Sequence, residues 1–285
     1  SACCTPPFSF SDKIIATLTD YTRRLALAVG TRGLVNIQYG VKDGKVYVIE
    51  VNPRASRTVP FVSKATGVPL AKCAARIMAG ESIASLGLPE DNGGIGHFAC
   101  KEAVMPFGRF PGADTILGPE MKSTGEVMGI GGDFPSAYAK TQLAIDYSLP
   151  KSGKVFISVC DREKRNIVPI AHALQDLGFQ IVSTGGTGRL LKANGLKVEI
   201  TRKMQEQRPN IGDLIANGEI DLLINIPFGQ ETRGDSYHLR SAAVRYGICY
   251  VTTLAGANAM AQAISAVQEG RLEPVALQDL PQKDM

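Results

Sequence analysis

A chain of 285 residues, 44% hydrophobic and 20% charged, has the composition of an ordinary globular protein and the length for about two domains burying roughly three quarters of their unfolded surface. Its formal net charge of +4, spread without a long basic run, argues against nucleic-acid binding. No apolar stretch approaches the eighteen or so residues of a membrane span, and the first residues lack the charged and apolar order of a signal peptide.

In chain order, the apolar positions Ile14, Ile15, Leu18, Tyr21, Leu25 and Ala28 recur at a helical spacing, which predicts an amphipathic helix over 12–29 ended by Gly30. Strands are predicted over 34–39 and 45–51 around Lys42-Asp43-Gly44, a hairpin signal. The second strand runs into Glu50-Val51-Asn52-Pro53-Arg54. Alternation projects Glu50 and Asn52 to one side, about 7 Å apart, as two hard oxygen ligands suited to a magnesium ion that keeps water or phosphate on its other positions. Pro53 tends to end the strand, and the Arg54 and Arg57 forks suit phosphate oxygens. Register matters here. A two-residue Asp43-Gly44 loop would pair Gln38 with Ile49 and turn it away from Glu50. A three-residue loop, Lys42-Asp43-Gly44, pairs Asn36 with Glu50 and Gln38 with Val48, with all four on one face, and is the expectation.

A largely buried helix is predicted over 65–80, with Pro69 in its first turn and Gly80 closing it. The stretch 81–150 reads as short strands and loops, and Pro150-Lys151-Ser152-Gly153 reads as a linker. Beyond it, strands at 154–159, 180–183, 197–200, 221–226 and 248–251 alternate with helices at 162–177, 187–193, 209–216, 235–246 and 254–269. That order implies a doubly wound parallel sheet of five strands with helices on both faces. The loop Ser183-Thr184-Gly185-Gly186-Thr187-Gly188 joins a strand to a helix, where backbone donors and the helix dipole favour an anion, although a plain helix cap would also explain it. Lys164, Lys203 and Asn225 fall at other strand ends, which converge on one crevice in such a sheet, so they are candidate partners of the same phosphate.

The cysteines, Cys3, Cys4, Cys73, Cys100, Cys160 and Cys249, show neither zinc spacing nor a small disulfide framework, so reduced thiols with packing roles are expected. The histidines, His97, His172 and His238, show no metal-like pairing, and His172 falls on a predicted helix.

Glu50-Val51-Asn52-Pro53-Arg54, with Thr58 through Ala71, Lys101-Glu102 and Gly118 through Gly129, resembles the second ATP-grasp module of the carbamoyl phosphate synthetase large chain. The remainder resembles that family's methylglyoxal-synthase-like regulatory domain. The resemblance implies a C-terminal fragment, divided into the end of an ATP-grasp domain over 1–85, a connecting segment over 86–150 and an allosteric domain over 151–285. It implies a cytoplasmic carbon-nitrogen ligase of arginine and pyrimidine biosynthesis that phosphorylates carbamate with ATP, using Mg2+ or Mn2+ and a potassium ion. Gln38, Glu50 and Asn52 would hold metal, and Arg54 would steady a phosphate; Arg57, Arg76 and Lys64 read equally as solvated or structural groups. Lys164, Thr184, Thr187, Lys203 and Asn225 match positions that hold the phosphate of UMP as inhibitor or IMP as activator, while Pro227 stands where the family uses a hydroxyl residue. Glu102, Asp235 and Thr252 match an ornithine site between the two domains, although Asp235 also reads as a helix N-cap. The implied partners are a glutamine amidotransferase small subunit and further copies, in a homo-oligomer of heterodimers.

Two other readings accompany this one. Methylglyoxal synthase shares the phosphate loop, but Glu231 with Gln230 beside it stands where that lyase needs an aspartate. Alternatively, the isolated chain is an effector-binding module without catalysis, its ATP-binding complement being absent.

Overall fold

The computed structural model describes residues 2–88, 95–105, 123, 125–145, 148–228 and 230–280, with backbone alone for 230–235. Packing separates the described residues into two compact units, one within 2–101 with 274–280 and one within 102–273.

In the unit containing 2–101, β1 (Cys3–Thr5) is followed by α1 (Asp12–Ala28), whose bounds match the expected helix closely. β2 (Asn36–Lys42) and β3 (Lys45–Asn52) form an antiparallel hairpin. Its loop corrects the expectation. Lys42 pairs with Lys45 across a two-residue Asp43-Gly44 turn, with φ of 51° and 71° at those positions. Both central residues are left-handed, as in the turn whose twist matches a hairpin's own, and Asp-Gly tolerates that conformation. The expected three-residue loop is therefore absent. A bulge instead shifts the register between Gln38 and Tyr39, leaving Ile49 without a direct partner. Gln38 then pairs with Glu50 and Asn36 with Asn52, rather than Gln38 with Val48 and Asn36 with Glu50. The displacement is two residues, so Asn36, Gln38, Glu50 and Asn52 share one side, whereas Val48, now opposite Tyr39, leaves the expected group.

The single helix expected over 65–80 is two, α2 (Thr58–Thr66) and α3 (Leu70–Met78). Gly67 ends α2 in a left-handed conformation, φ 73°, and Pro69 precedes the first residue of α3, so the break has a backbone cause. β4 (Phe98–Ala103) pairs antiparallel with β1 and carries the chain to the next unit.

The second unit opens with β5 (Glu126–Gly131) and α4 (Phe134–Ala144). The α4 helix lay within the stretch expected to be strands and loops. Asp133 caps it by accepting from Ser136 N–H at 2.8 Å, and Gly131 permits its close approach: a Cβ there would lie 2.8 Å from Ala137 N. Ten elements follow: β6 (Gly153–Val159), α5 (Lys164–Asp176), β7 (Phe179–Thr184), α6 (Gly185–Ala193), β8 (Val198–Thr201), α7 (Ile211–Ala216), β9 (Leu222–Ile226), α8 (Gln230–Arg245), β10 (Cys249–Val251) and α9 (Leu254–Gln268). Their five strands pair in parallel in the order β10-β9-β6-β7-β8, the doubly wound sheet that the alternating pattern predicts.

Phe156, Val182 and Leu223 of the sheet cluster with Ile211 and Ile215 of α7 and Leu239 and Ala243 of α8. Alternation sends Val155, Ile157 and Ile224 to the opposite face, and all three are fully buried. There α5 packs with α6 and α9. Each such aliphatic side chain contributes about 1.5–3 kcal/mol by leaving water. His172 lies on α5 and its Nε2 meets the Asn194 carbonyl at 3.1 Å, a structural role. Among the described residues, no helix is long and apolar enough to cross a membrane.

Candidate functional sites

The hairpin site is built by the bulge. Gln38 and Glu50 face each other across the strands, where opposed Cβ atoms lie roughly 4.5–5.5 Å apart. Asn52 joins them from two residues along β3. Its Nδ2 donates to Glu50 Oε1 at 2.9 Å, and its Oδ1 accepts from Arg54 Nη2 at 3.3 Å. Arg54 is fixed further by donating from Nη1 to the Ala55 carbonyl at 3.0 Å and from its backbone N–H to the Asn52 carbonyl at 2.8 Å. A chain of contacts thus runs from carboxylate through carboxamide to guanidinium along one exposed edge. One carboxylate and two carboxamides are the hard oxygen set that Mg2+ or Mn2+ takes, so the donors fit such a cation. Turning the Asn52 amide over would bring Oδ1 against the Glu50 carboxylate, two acceptors that a cation between them would reconcile. Among the described residues no group of three His, Cys, Asp or Glu is placed to hold a metal. Arg76 is committed elsewhere, paired with Glu81 at 2.6 Å.

The second candidate lies at the carboxyl ends of β6, β7, β8 and β9. The strand order reverses between β6 and β9, the position at which the loops of a doubly wound sheet part to leave a crevice. β7 passes directly into α6, with Thr184 as the N-cap residue making no side-chain cap bond. The first N–H groups of α6 therefore face the crevice without a capping side chain, as an anion cradle needs. Two cations flank them. A Cβ added at Gly186 would stand 3.3 Å from Lys164 Nζ, and one at Gly185 3.2 Å from Arg189 Nη1. Lys164 is held by Asp161 at 2.6 Å, and that pairing keeps the Asp161 carboxyl below its usual range.

Thr187, matched by resemblance to a phosphate-holding position, has its hydroxyl engaged within the fold. Its hydroxyl is buried, accepting from Val159 N–H at 3.3 Å and lying 3.4 Å from the Val159 carbonyl, so it ties α6 to the end of β6. Lys203 follows Thr201, the partner of Thr184 in the β7–β8 ladder, and its backbone N–H is anchored by Glu206 at 2.8 Å. Asn225, the partner of Ser158, is buried, and its Oδ1 accepts from Arg240 Nη1 at 3.3 Å. Lys164, Thr184, Thr187, Lys203 and Asn225 are thus all at the same sheet end.

Arg189 and Arg240 were not among the sequence candidates. Arg189 carried a signal, since it stands four residues after Gly185 at helical spacing. Arg240 is fully buried in α8, and its neighbours along the chain gave no sign that a cation would be enclosed there. Across the crevice, the Arg162 guanidinium stacks on Phe228 at 4.2 Å, linking the loops after β6 and β9.

Glu102, at the end of β4, is largely buried. Burial raises its pKa, against the hydrogen bond that Gln142 Nε2 donates to its Oε2. Cys249 on β10 feels the same environment: burial first, and the Glu102 charge second, push its thiol up to about 12. Thr252 follows β10 and is half-buried. Asp235 lies within α8, but its side chain and that of Glu231 lie outside the described residues.

A profile described as "Carbamoyl-phosphate synthase L chain, ATP binding domain" matches residues 3–86, and one described as "MGS-like domain" matches 166–252. The carbamoyl phosphate synthase large chain of Archaeoglobus fulgidus is 52% identical over 280 residues, 98% of this chain and 26% of its own. That of Methanothermobacter thermautotrophicus is 51% identical over 282 residues, with the same coverages, and that of Synechocystis sp. 48% identical over 280, again covering 98% and 26%. The chain spans about a quarter of the length of these curated relatives. A methylglyoxal synthase from Elizabethkingia anophelis NUHP1 overlaps 40% of this chain and 79% of its own at a TM-score of 0.34 and 18% identity, too slight a likeness to bear on the reading.

Proposed function

The chain belongs to the carbamoyl phosphate synthase large-chain family, joining an ATP binding segment to an MGS-like domain, and on that premise we propose that it is the C-terminal part of a ligase that phosphorylates carbamate with ATP under allosteric control. The observation that carries this reading is the bulged register, which aligns Gln38, Glu50 and Asn52 on one face with Arg54 attached. We assign 1–85 to the ATP-grasp part, 86–150 to a connecting segment and 151–285 to the regulatory part. The work of the first part is positioning. Gln38, Glu50 and Asn52 would hold Mg2+ or Mn2+, which would supply charge neutralisation at the phosphates of ATP. Arg54, anchored to Asn52 and Ala55, presents its guanidinium to a phosphate oxygen. In the whole enzyme, cytoplasmic and assembled with a glutamine amidotransferase subunit that supplies ammonia, this site serves the second of two phosphorylations.

The regulatory reading rests on the α6 N-terminus, flanked by Lys164 and Arg189, with Asn225 oriented by Arg240. It is a phosphate site for UMP or IMP. Pro227 removes a hydroxyl from the family pattern and leaves nucleotide preference to the loop around Phe228. Ornithine is assigned to Glu102, Asp235 and Thr252.

Because the chain spans only a quarter of its relatives, it is expected alone to bind effector without turnover. Adding UMP or IMP at a hundredfold excess over the dissociation constant should stabilise it by about 2.7 kcal/mol, read as a rise in melting temperature, while no carbamoyl phosphate forms. An unmoved melting temperature with both nucleotides would refute the regulatory assignment, and product made by the chain alone would refute the silence of the fragment. Lys164 divides its charge between ligand and Asp161, so Asp161→Asn should tighten effector binding about two- to five-fold at low salt. Weaker binding in an isothermal titration would mean that Asp161 supports the site.

A further inference from the structure

Cys4 and Cys100 are the one cysteine pair among the described residues that the β-ladder places directly opposite each other, in the β1–β4 register Cys3↔Lys101, Cys4↔Cys100, Thr5↔Ala99. Directly opposed residues of an antiparallel pair share a face, with Cα atoms roughly 4.5–5.5 Å apart, inside the range that a disulfide spans. The two thiols are in contact, sharing a side-chain hydrogen bond. We propose that Cys4 and Cys100 form a reversible intrachain disulfide when the protein meets a hydroperoxide, a redox modification site that staples β1 to β4.

The two sulfurs are not equivalent. Cys4 is partly exposed, and the hydrogen bond from Cys100 holds its thiol below the usual range against the opposing effect of burial. Cys100 is only 1% exposed. A partly exposed thiolate is the sulfur that an oxidant reaches, and an enclosed thiol beside it is the one that resolves the product. In the first step the Cys4 thiolate attacks one peroxide oxygen, the O–O bond breaks, and the departing hydroxide takes a proton to become water, leaving a sulfenic acid on Cys4. In the second, Cys100 Sγ attacks Cys4 Sγ, the S–O bond breaks, and the hydroxyl leaves with the Cys100 proton as a second water. Two thiols and one hydrogen peroxide give one disulfide and two waters, the sulfurs oxidised and the peroxide oxygens reduced.

Cys3 is the internal control. Alternation turns it to the other face of β1, where it is exposed and opposite Lys101 rather than a cysteine. The staple would close the segment from 4 to 100, which contains the hairpin with Gln38, Glu50 and Asn52, so oxidation constrains the element that carries the cation site.

The test uses the reduced chain, treated with stoichiometric hydrogen peroxide, denatured in excess N-ethylmaleimide and digested for peptide mass spectrometry. The expected product links the peptide of residues 3 and 4 to that of residue 100, two hydrogens lighter than their sum and released by dithiothreitol. It persists in Cys3→Ser and is lost in Cys4→Ser, whose reduced melting temperature checks that the fold is kept. The oxidised wild-type chain should melt about 5–10 °C above the reduced one. Full alkylation of both cysteines after peroxide, accumulation of sulfinic acid on Cys4 with Cys100 still free, or a link that survives Cys4→Ser would each overturn the proposal.

Discussion

Glu50→Gln, made in a full-length large chain that contains this segment, should lower ATP-dependent carbamoyl phosphate formation by about 10²–10³-fold. The change is nearly isosteric, and glutamine can still accept from Asn52 Nδ2 through its carbonyl. What disappears is the negative charge, and the rest of the set, Gln38 and Asn52, is neutral. A carboxamide in place of the carboxylate leaves a divalent cation with neutral oxygens alone from the hairpin. Glu50 is exposed, so the folded chain should be destabilised by no more than about 0.5 kcal/mol. Effector binding to the regulatory domain should be unchanged. This separation identifies the effect: a rate loss at constant melting temperature and constant UMP affinity belongs to the hairpin. A rate within about threefold of wild type would remove Glu50 from the metal set.

The hairpin also shows where sequence reasoning stops. That Glu50 and Asn52 share a face was legible, because face along one strand depends only on parity, while the expectation that Gln38 joins them rested on a loop the structure does not have. How parity is achieved was not. A two-residue turn and one bulge give the same parity as a three-residue loop, and hydrophobic patterning does not distinguish them when both hairpin faces are largely half-exposed or exposed. The parallel sheet was legible nearly strand by strand, since its members are continuous apolar runs separated by glycine-ended helices. α4 was not, because residues 134–144 include Phe134, Pro135 and six positions buried around the helix, without an apolar stripe to betray the period. The split between α2 and α3 was written in Gly67 and Pro69, but the apolar residues on either side run on as if one helix continued.

The crevice was legible in outline for a topological reason. Residues far apart in sequence reach it because each stands at the end of a parallel strand, and order alone fixes that. Side-chain bonding is finer than topology. Thr187 reads as a ligand from its place in a glycine-rich loop, yet its hydroxyl is engaged with Val159. Arg240 has no role in the sequence reading, yet it is enclosed and holds the Asn225 amide.

Lys164→Met should weaken binding of a phosphorylated effector about 10- to 100-fold, the range expected when a charge-assisted bond to phosphate is lost. Methionine keeps an unbranched apolar stem of similar reach, so packing at the start of α5 is retained while the ammonium beside Gly186 is removed. At an effector concentration a hundredfold above the wild-type dissociation constant, a 30-fold loss would cut the stabilisation from about 2.7 to under about 1 kcal/mol, a difference that a melting curve resolves. Binding should also lose part of its salt dependence, because one fewer charge attraction is left for salt to screen. Gly186→Ala offers an independent check. Its methyl group would stand 3.3 Å from Lys164 Nζ, at the mouth of the cradle, and should weaken phosphate binding without removing any charge. If Lys164→Met left both the melting shift and its salt dependence intact, the α6 N-terminus would not be where the phosphate lies, whatever its dipole favours.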